Sequence, residues 1–68
     1  MLLFIETKQD TNELYDITVF ENEESFRDWA SGQLDDSDTN KLLETFTLDD
    51  YTFNGQNLKA EIKFREVQ

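Results

Sequence analysis

The stretch Thr39–Gly55, "TNKLLETFTLDDYTFNG", decides how this 68-residue chain folds. Asn54-Gly55 suits a two-residue hairpin turn, because both central positions of such a turn need positive φ. Beyond it, Leu58, Ala60, Ile62 and Phe64 point one way while Lys59, Glu61, Lys63 and Arg65 point the other. A two-residue turn pairs Tyr51 with Leu58. Carried further back, that register places Leu48 and Phe46 on the solvent side. One extra residue at Asp49-Asp50, a β-bulge, returns both to the core side. Upstream of the bulge two readings stay open. Residues from about 42 to 53 form one bent strand or two short ones, or "TNKLLETF" is a short second helix, since Leu42, Leu43 and Phe46 also fit helical spacing.

Working outward, "LLFIET" (residues 2–7) reads as a strand, apolar on both faces at its start and therefore expected in the middle of a sheet. "LYDITVF" (14–20) alternates, with Tyr15, Ile17 and Val19 on one face and Asp16 and Thr18 on the other. The polar "KQDTNE" between them is short enough for a hairpin. The period then changes. Asn22 is a good N-cap, Glu23 and Glu24 suit the positive end of a helix dipole, and Phe26, Trp29 and Ala30 make an apolar stripe. Gly32 is expected to end this helix of about 23–31 in the left-handed conformation. The result is an α+β single domain of ββαββ-like order. It has a three- to five-stranded, mostly antiparallel sheet with one helix packed on a face.

Composition narrows the chemistry. With no cysteine and no histidine, thiol catalysis, disulfides and the commonest zinc ligands and general base are absent. A domain this small without disulfides fits the cytoplasm. No apolar run approaches the roughly 20 residues needed to cross a bilayer, and "MLLFI" has no basic region before it, unlike a signal peptide. Nine aromatic residues in 68 argue for a folded core rather than disorder.

One short motif resembles a metal loop. From Asp36, oxygen-bearing side chains fall at Asp36, Asp38 and Asn40, the 1-3-5 rhythm of a calcium-binding EF-hand loop over 36–47. The sixth position, where glycine makes the sharp turn, is Lys41. The twelfth, where a glutamate gives two ligand oxygens, is Thr47. Calcium binding is accordingly a weak, third-ranked reading, and no cofactor is expected. The plainer reading is an acidic loop in which Asp38 or Thr39 caps an element beginning at Asn40. Enzymatic readings have less behind them. Ser25, Ser31 and Ser37 have no histidine to activate them, and both glycines are placed in a helix end and a turn. The chain is read as non-enzymatic.

Charge is the dominant feature. Sixteen acids oppose six bases, a net of −10. Between Asp10 and Asp50 there are thirteen acids against Arg27 and Lys41, a net of −11 in that span alone. Direct binding to nucleic acid is disfavoured by repulsion between like charges. The basic row Lys59, Lys63 and Arg65 reads as a solvated sheet face with Glu61 interspersed. Solubility accounts for a negative charge without any partner, but it does not require this density, which lowers stability through self-repulsion. In composition only, the chain resembles the DNA-mimic inhibitors of phages and mobile elements, whose carboxylates occupy the DNA site of a nucleic-acid-binding protein. The expected function is a non-enzymatic module that engages a basic protein surface. Glu21, Glu23, Glu24, Asp28, Asp35, Asp36, Asp38, Asp49 and Asp50 carry it, with one exposed aromatic as anchor; the helix presents Trp29 either inward to the core or outward to a partner. The chain is expected to be a monomer or weak homodimer that binds neither nucleic acid nor membrane. The alternative is a small structural or accessory subunit that associates through its sheet edge or helix, the charge serving solubility.

Overall fold

A computed structural model describes residues 1–65. Two hairpins enclose a pair of helices: β1 (Leu2–Lys8), β2 (Leu14–Phe20), α1 (Glu23–Ser31), α2 (Asp36–Thr45), β3 (Thr47–Phe53) and β4 (Gln56–Phe64). The strands form one four-stranded antiparallel sheet in the order β2-β1-β4-β3. The first and last strands are therefore the central ones, as the two-sided apolar start of β1 suggests. The expected ββαββ order gains a second helix, and ββααββ is the order observed.

The C-terminal hairpin follows the pattern read from its residues. Asn54 and Gly55 both have positive φ, Tyr51 pairs with Leu58, and the register shifts between Leu48 and Tyr51. The shift carries Leu48 inward, where it is buried. Phe46 does not follow it. Residues 36–45 are helical, and a single residue, Phe46, connects that helix to β3 in the left-handed conformation (φ 65°). Its N–H donates to the Leu42 carbonyl and its own carbonyl accepts from Ile62. With its backbone held on both sides, the ring is directed outward to 46% exposure, edge-on to Phe64 at 5.5 Å.

The end of α1 also differs from expectation. Gly32 is right-handed (φ −100°), and its N–H closes the helix on the Trp29 and Ala30 carbonyls. The left-handed helix end belongs to α2 instead. The start of α1 is as read: the Asn22 side chain accepts from the Ser25 N–H at 2.9 Å. Asn22→Ala should therefore cost about 1 kcal/mol, measurable as a lower urea midpoint with unchanged slope. In α2 the cap is Asp35, through backbone geometry alone, and not Asp38 or Thr39. Thr39 is buried, and its hydroxyl donates to the Asp35 carbonyl.

Both helices lie on one face of the sheet, α1 toward the β2 side and α2 over β3 and β4. The core between the layers holds Leu2, Phe4, Phe26, Ala30, Leu42, Leu48, Tyr51, Leu58, Ala60 and Ile62. Tyr15 packs against it while Ile17 and Val19 do not, although the alternation had grouped all three. The cause is a bulge. Glu6 faces Asp16 but the next residue, Thr7, faces Leu14, so Tyr15 is the extra residue and turns toward the core. Ile17 and Val19 lie on the opposite, open face of the sheet, 48% and 57% exposed.

Candidate functional site: the acidic helix layer

The acids concentrate where the helices begin. Glu23 and Glu24 occupy the first turn of α1, and Asp36 and Asp38 the first turn of α2, with Asp35 as the residue before it. A carboxylate there is stabilised by the free amide groups and the positive end of the helix dipole. Part of the acid density thus has a local structural cause. Glu21 in the β2–α1 connection, Asp28 on α1 and Glu44 on α2 lie outside those first turns. From Glu21 to Phe46, eight acids stand against Arg27 and Lys41. Seven of the nine predicted site residues belong to this layer, and all seven are exposed except Asp38, which is partly so. Arg27 is spent within the layer, 3.7 Å from the Glu23 carboxylate.

The other two predicted residues are not part of that surface. Asp49 and Asp50 form the bulge on the edge strand β3. The Asp50 carboxylate accepts from the Gln9 side chain at 2.8 Å, and the same Gln9 amide donates to the Leu58 carbonyl. Asp50 thus ties the first hairpin's turn to β3. Asp49 lines a depression of about 240 Å³ with Thr7, Thr47, Lys59 and Glu61. Those four residues lie on the face away from the helices, since paired residues share a face: Thr7 pairs with Lys59 and Thr47 with Glu61.

The calcium reading lacks the loop it requires. Residues 36–45 are helix, and a helix turns about 200° over two residues. Asp36 and Asp38 therefore project in different directions and do not converge on an ion. Among the described residues, no three acids come together in a way that would hold a metal. No described helix is long and apolar enough to cross a membrane.

A buried acid escaped the sequence reading. Glu6 is 2% exposed on the core face of β1 and accepts a 2.5 Å hydrogen bond from the Tyr51 hydroxyl. Burial pushes its carboxyl above the usual 4.5. The Tyr51 hydrogen bond opposes the rise, and Asp16 on the neighbouring strand adds to it. Burial likewise raises the Tyr51 hydroxyl, reinforced by the hydrogen bond to Glu6 and its charge. The alternation Leu2, Phe4, Glu6 was the available signal, because a strand that buries positions 2 and 4 also buries 6. The exposed apolar pair Ile17 and Val19 had no such signal, since only the bulge at Tyr15 reveals their face.

Comparison with protein-family models, curated proteins and solved structures finds no match to this chain.

Proposed function

We propose that this protein is a non-enzymatic binding module whose acidic helix layer engages a basic protein surface, in the manner of a DNA mimic. One observation carries the reading. Glu21, Glu23, Glu24, Asp28, Asp35 and Asp36 are exposed on adjoining elements, in a layer whose bases number two. Helix-dipole stabilisation supports the carboxylates of the first turns but not Glu21 or Asp28. Crowded like charge destabilises the folded state, and a complementary basic partner relieves it. Carboxylates fixed on two packed helices form a more rigid array than a disordered acidic tail, which favours complementarity to a DNA-binding site. The partner surface is rich in arginine and lysine. Asp49 and Asp50, lying elsewhere, are dispensable in this scheme.

The test uses the immobilised full chain and a lysate of its source cells. A captured protein should associate quickly, dissociate as salt is raised from about 50 to about 500 mM, and be displaced by duplex DNA. Changing Glu23, Glu24, Asp35 and Asp36 together to their amides should slow association at least about tenfold while the circular dichroism spectrum is retained. Capture that is equally strong at both salt concentrations and indifferent to DNA defeats this reading. It would favour the structural-subunit class, which has the exposed Ile17 and Val19 to its credit.

A further inference from the structure

No described residue covers the face of the sheet away from the helices, and its composition is sharply divided. Leu3 pairs with Val19 on one side and Lys63 on the other, and Ile5 pairs with Ile17 and Glu61. Residues paired across antiparallel strands share a face. Leu3, Ile5, Ile17 and Val19 therefore form an apolar quartet on β1 and β2. Beside it on β4 runs the row Lys59, Glu61, Lys63, continued by Arg65, whose N–H bonds the Met1 carbonyl. The open face of many antiparallel sheets is polar throughout. Here half of it is not.

We infer that this open face is the contact surface of an isologous dimer, covered by the same face of a second copy. Two arguments single out that occupant. The first is charge. Two chains of net −10 repel each other on most approaches. On the open face Lys59, Lys63 and Arg65 meet Glu61 and Asp49, so acids do not outnumber bases there. The second is self-complementarity. Place a two-fold axis between the two sheets, perpendicular to the strands and level with Phe4 and its partner Ile62. Each strand then faces its own copy running in the opposite direction. Leu3 meets Ile5, Ile17 meets Val19, and Glu61 meets Lys63, each pair formed twice. Apolar faces apolar, and the Glu61–Lys63 pair, 3.4 Å apart within each chain, meets its reversed counterpart to form a four-charge cluster. At the rim Lys59, whose ammonium donates to the Asn12 side chain at 2.6 Å, approaches Arg65 of the other copy, and Asp49 lines the same depression. Rotating about an axis parallel to the strands and centred on the sheet sets the apolar quartet against the charged row, so full overlap of the two faces favours the perpendicular axis.

A face of four strands, three of seven residues and one of nine, measures only about 19 by 23–30 Å. Standard interfaces bury about 800 Å² per partner, so the dimer is weak. In it both acidic helix layers point outward, away from the contact.

Sedimentation velocity on the full chain across a dilution series reads the association directly. A monomer–dimer equilibrium is expected, with dissociation at micromolar to millimolar concentration, that tightens as salt screens the repulsion between the two acidic chains. This is the opposite salt response to that of the acidic layer with a basic partner. Val19→Lys should weaken the dimer at least about tenfold, and Ile17→Thr less so, both with an unchanged dichroism spectrum. Glu61→Lys alone and Lys63→Glu alone should each weaken it by apposing like charges. The double variant E61K/K63E should restore it. A chain that stays monomeric at millimolar concentration overturns the inference, as does a dimer indifferent to Val19→Lys. Single charge reversals that the double variant fails to rescue overturn the two-fold register.

Discussion

Replacing Phe26 with alanine is expected to cost about 3–5 kcal/mol, the range for truncating a large aromatic side chain in a packed core. Phe26 is fully buried on α1. It stands 5.3 Å from Phe4 of β1 and 5.4 Å from Phe20 of β2, ring centre to ring centre. Removing the ring leaves a void that the short helix cannot close without losing its contact with both strands. Small domains are stable by about 5–15 kcal/mol, and one of this length lies toward the bottom of that range. The variant should therefore keep no more than about 2 kcal/mol of stability and unfold at a much lower urea concentration. Trp29 is the chain's single tryptophan and lies 6.1 Å from Phe26, so its fluorescence in a urea titration reports the loss. Trp29 itself is half-buried, resting on Phe4, Phe20, Phe26 and Phe53. Trp29→Ala should cost less than Phe26→Ala, reversing the rank suggested by side-chain size. Phe46→Ala, at an exposed ring, should change stability by no more than about 1 kcal/mol. A Phe26→Ala midpoint equal to that of Phe46→Ala would contradict this account of the core.

The second large effect belongs to Glu6 and Tyr51. Tyr51→Phe removes the hydrogen bond to a buried carboxylate and should cost about 1–3 kcal/mol near neutral pH. The pH dependence follows from the direction of the Glu6 shift. Its folded-state value is raised, so between 4.5 and that higher value the folded chain holds a proton that the unfolded chain has released. The stabilisation is complete below 4.5 and is lost as pH rises through the folded-state value. Unfolding free energy should thus fall on going from mildly acidic to neutral pH. The comparison with Glu6→Gln isolates the buried group. Glu6→Gln should flatten the slope, whereas Tyr51→Phe, which takes away the contact favouring the charged form, should steepen it. Parallel pH profiles for all three proteins would show that Glu6 does not titrate differently in the folded state.

Much of this architecture was legible along the chain because local chemistry and tertiary outcome agree. Asn22, Glu23 and Glu24 specify the start of α1 through capping and the dipole, and Asn54-Gly55 specifies the final turn through its need for positive φ. The bulge at Asp49-Asp50 was legible as well, since only an irregular register buries both Leu48 and Tyr51. Where the chain was silent, two local solutions were nearly equal. "TNKLLETF" satisfies helix and strand spacing alike, and propensities differing by tenths of a kcal/mol per residue do not choose between them.

Of the candidate site, the acid density could be read but its division could not. Seven acids on the helix layer and two on an edge strand look continuous in sequence, and only the turn at Phe46 separates them in space. Residue chemistry alone settled the antiparallel hairpins, the first helix, the apolar interior and the extreme negative charge, because each rests on neighbours a few positions apart. The second helix, the burial of Glu6 against Tyr51, the outward ring of Phe46 and the apolar quartet on the open face were settled only by tertiary structure. The physical reason is coverage. A helix about 10 Å across cannot shield a four-stranded sheet about 19 Å wide. Residues 36–45 therefore coil to cover the half that α1 leaves bare, and the sheet's other face is left open.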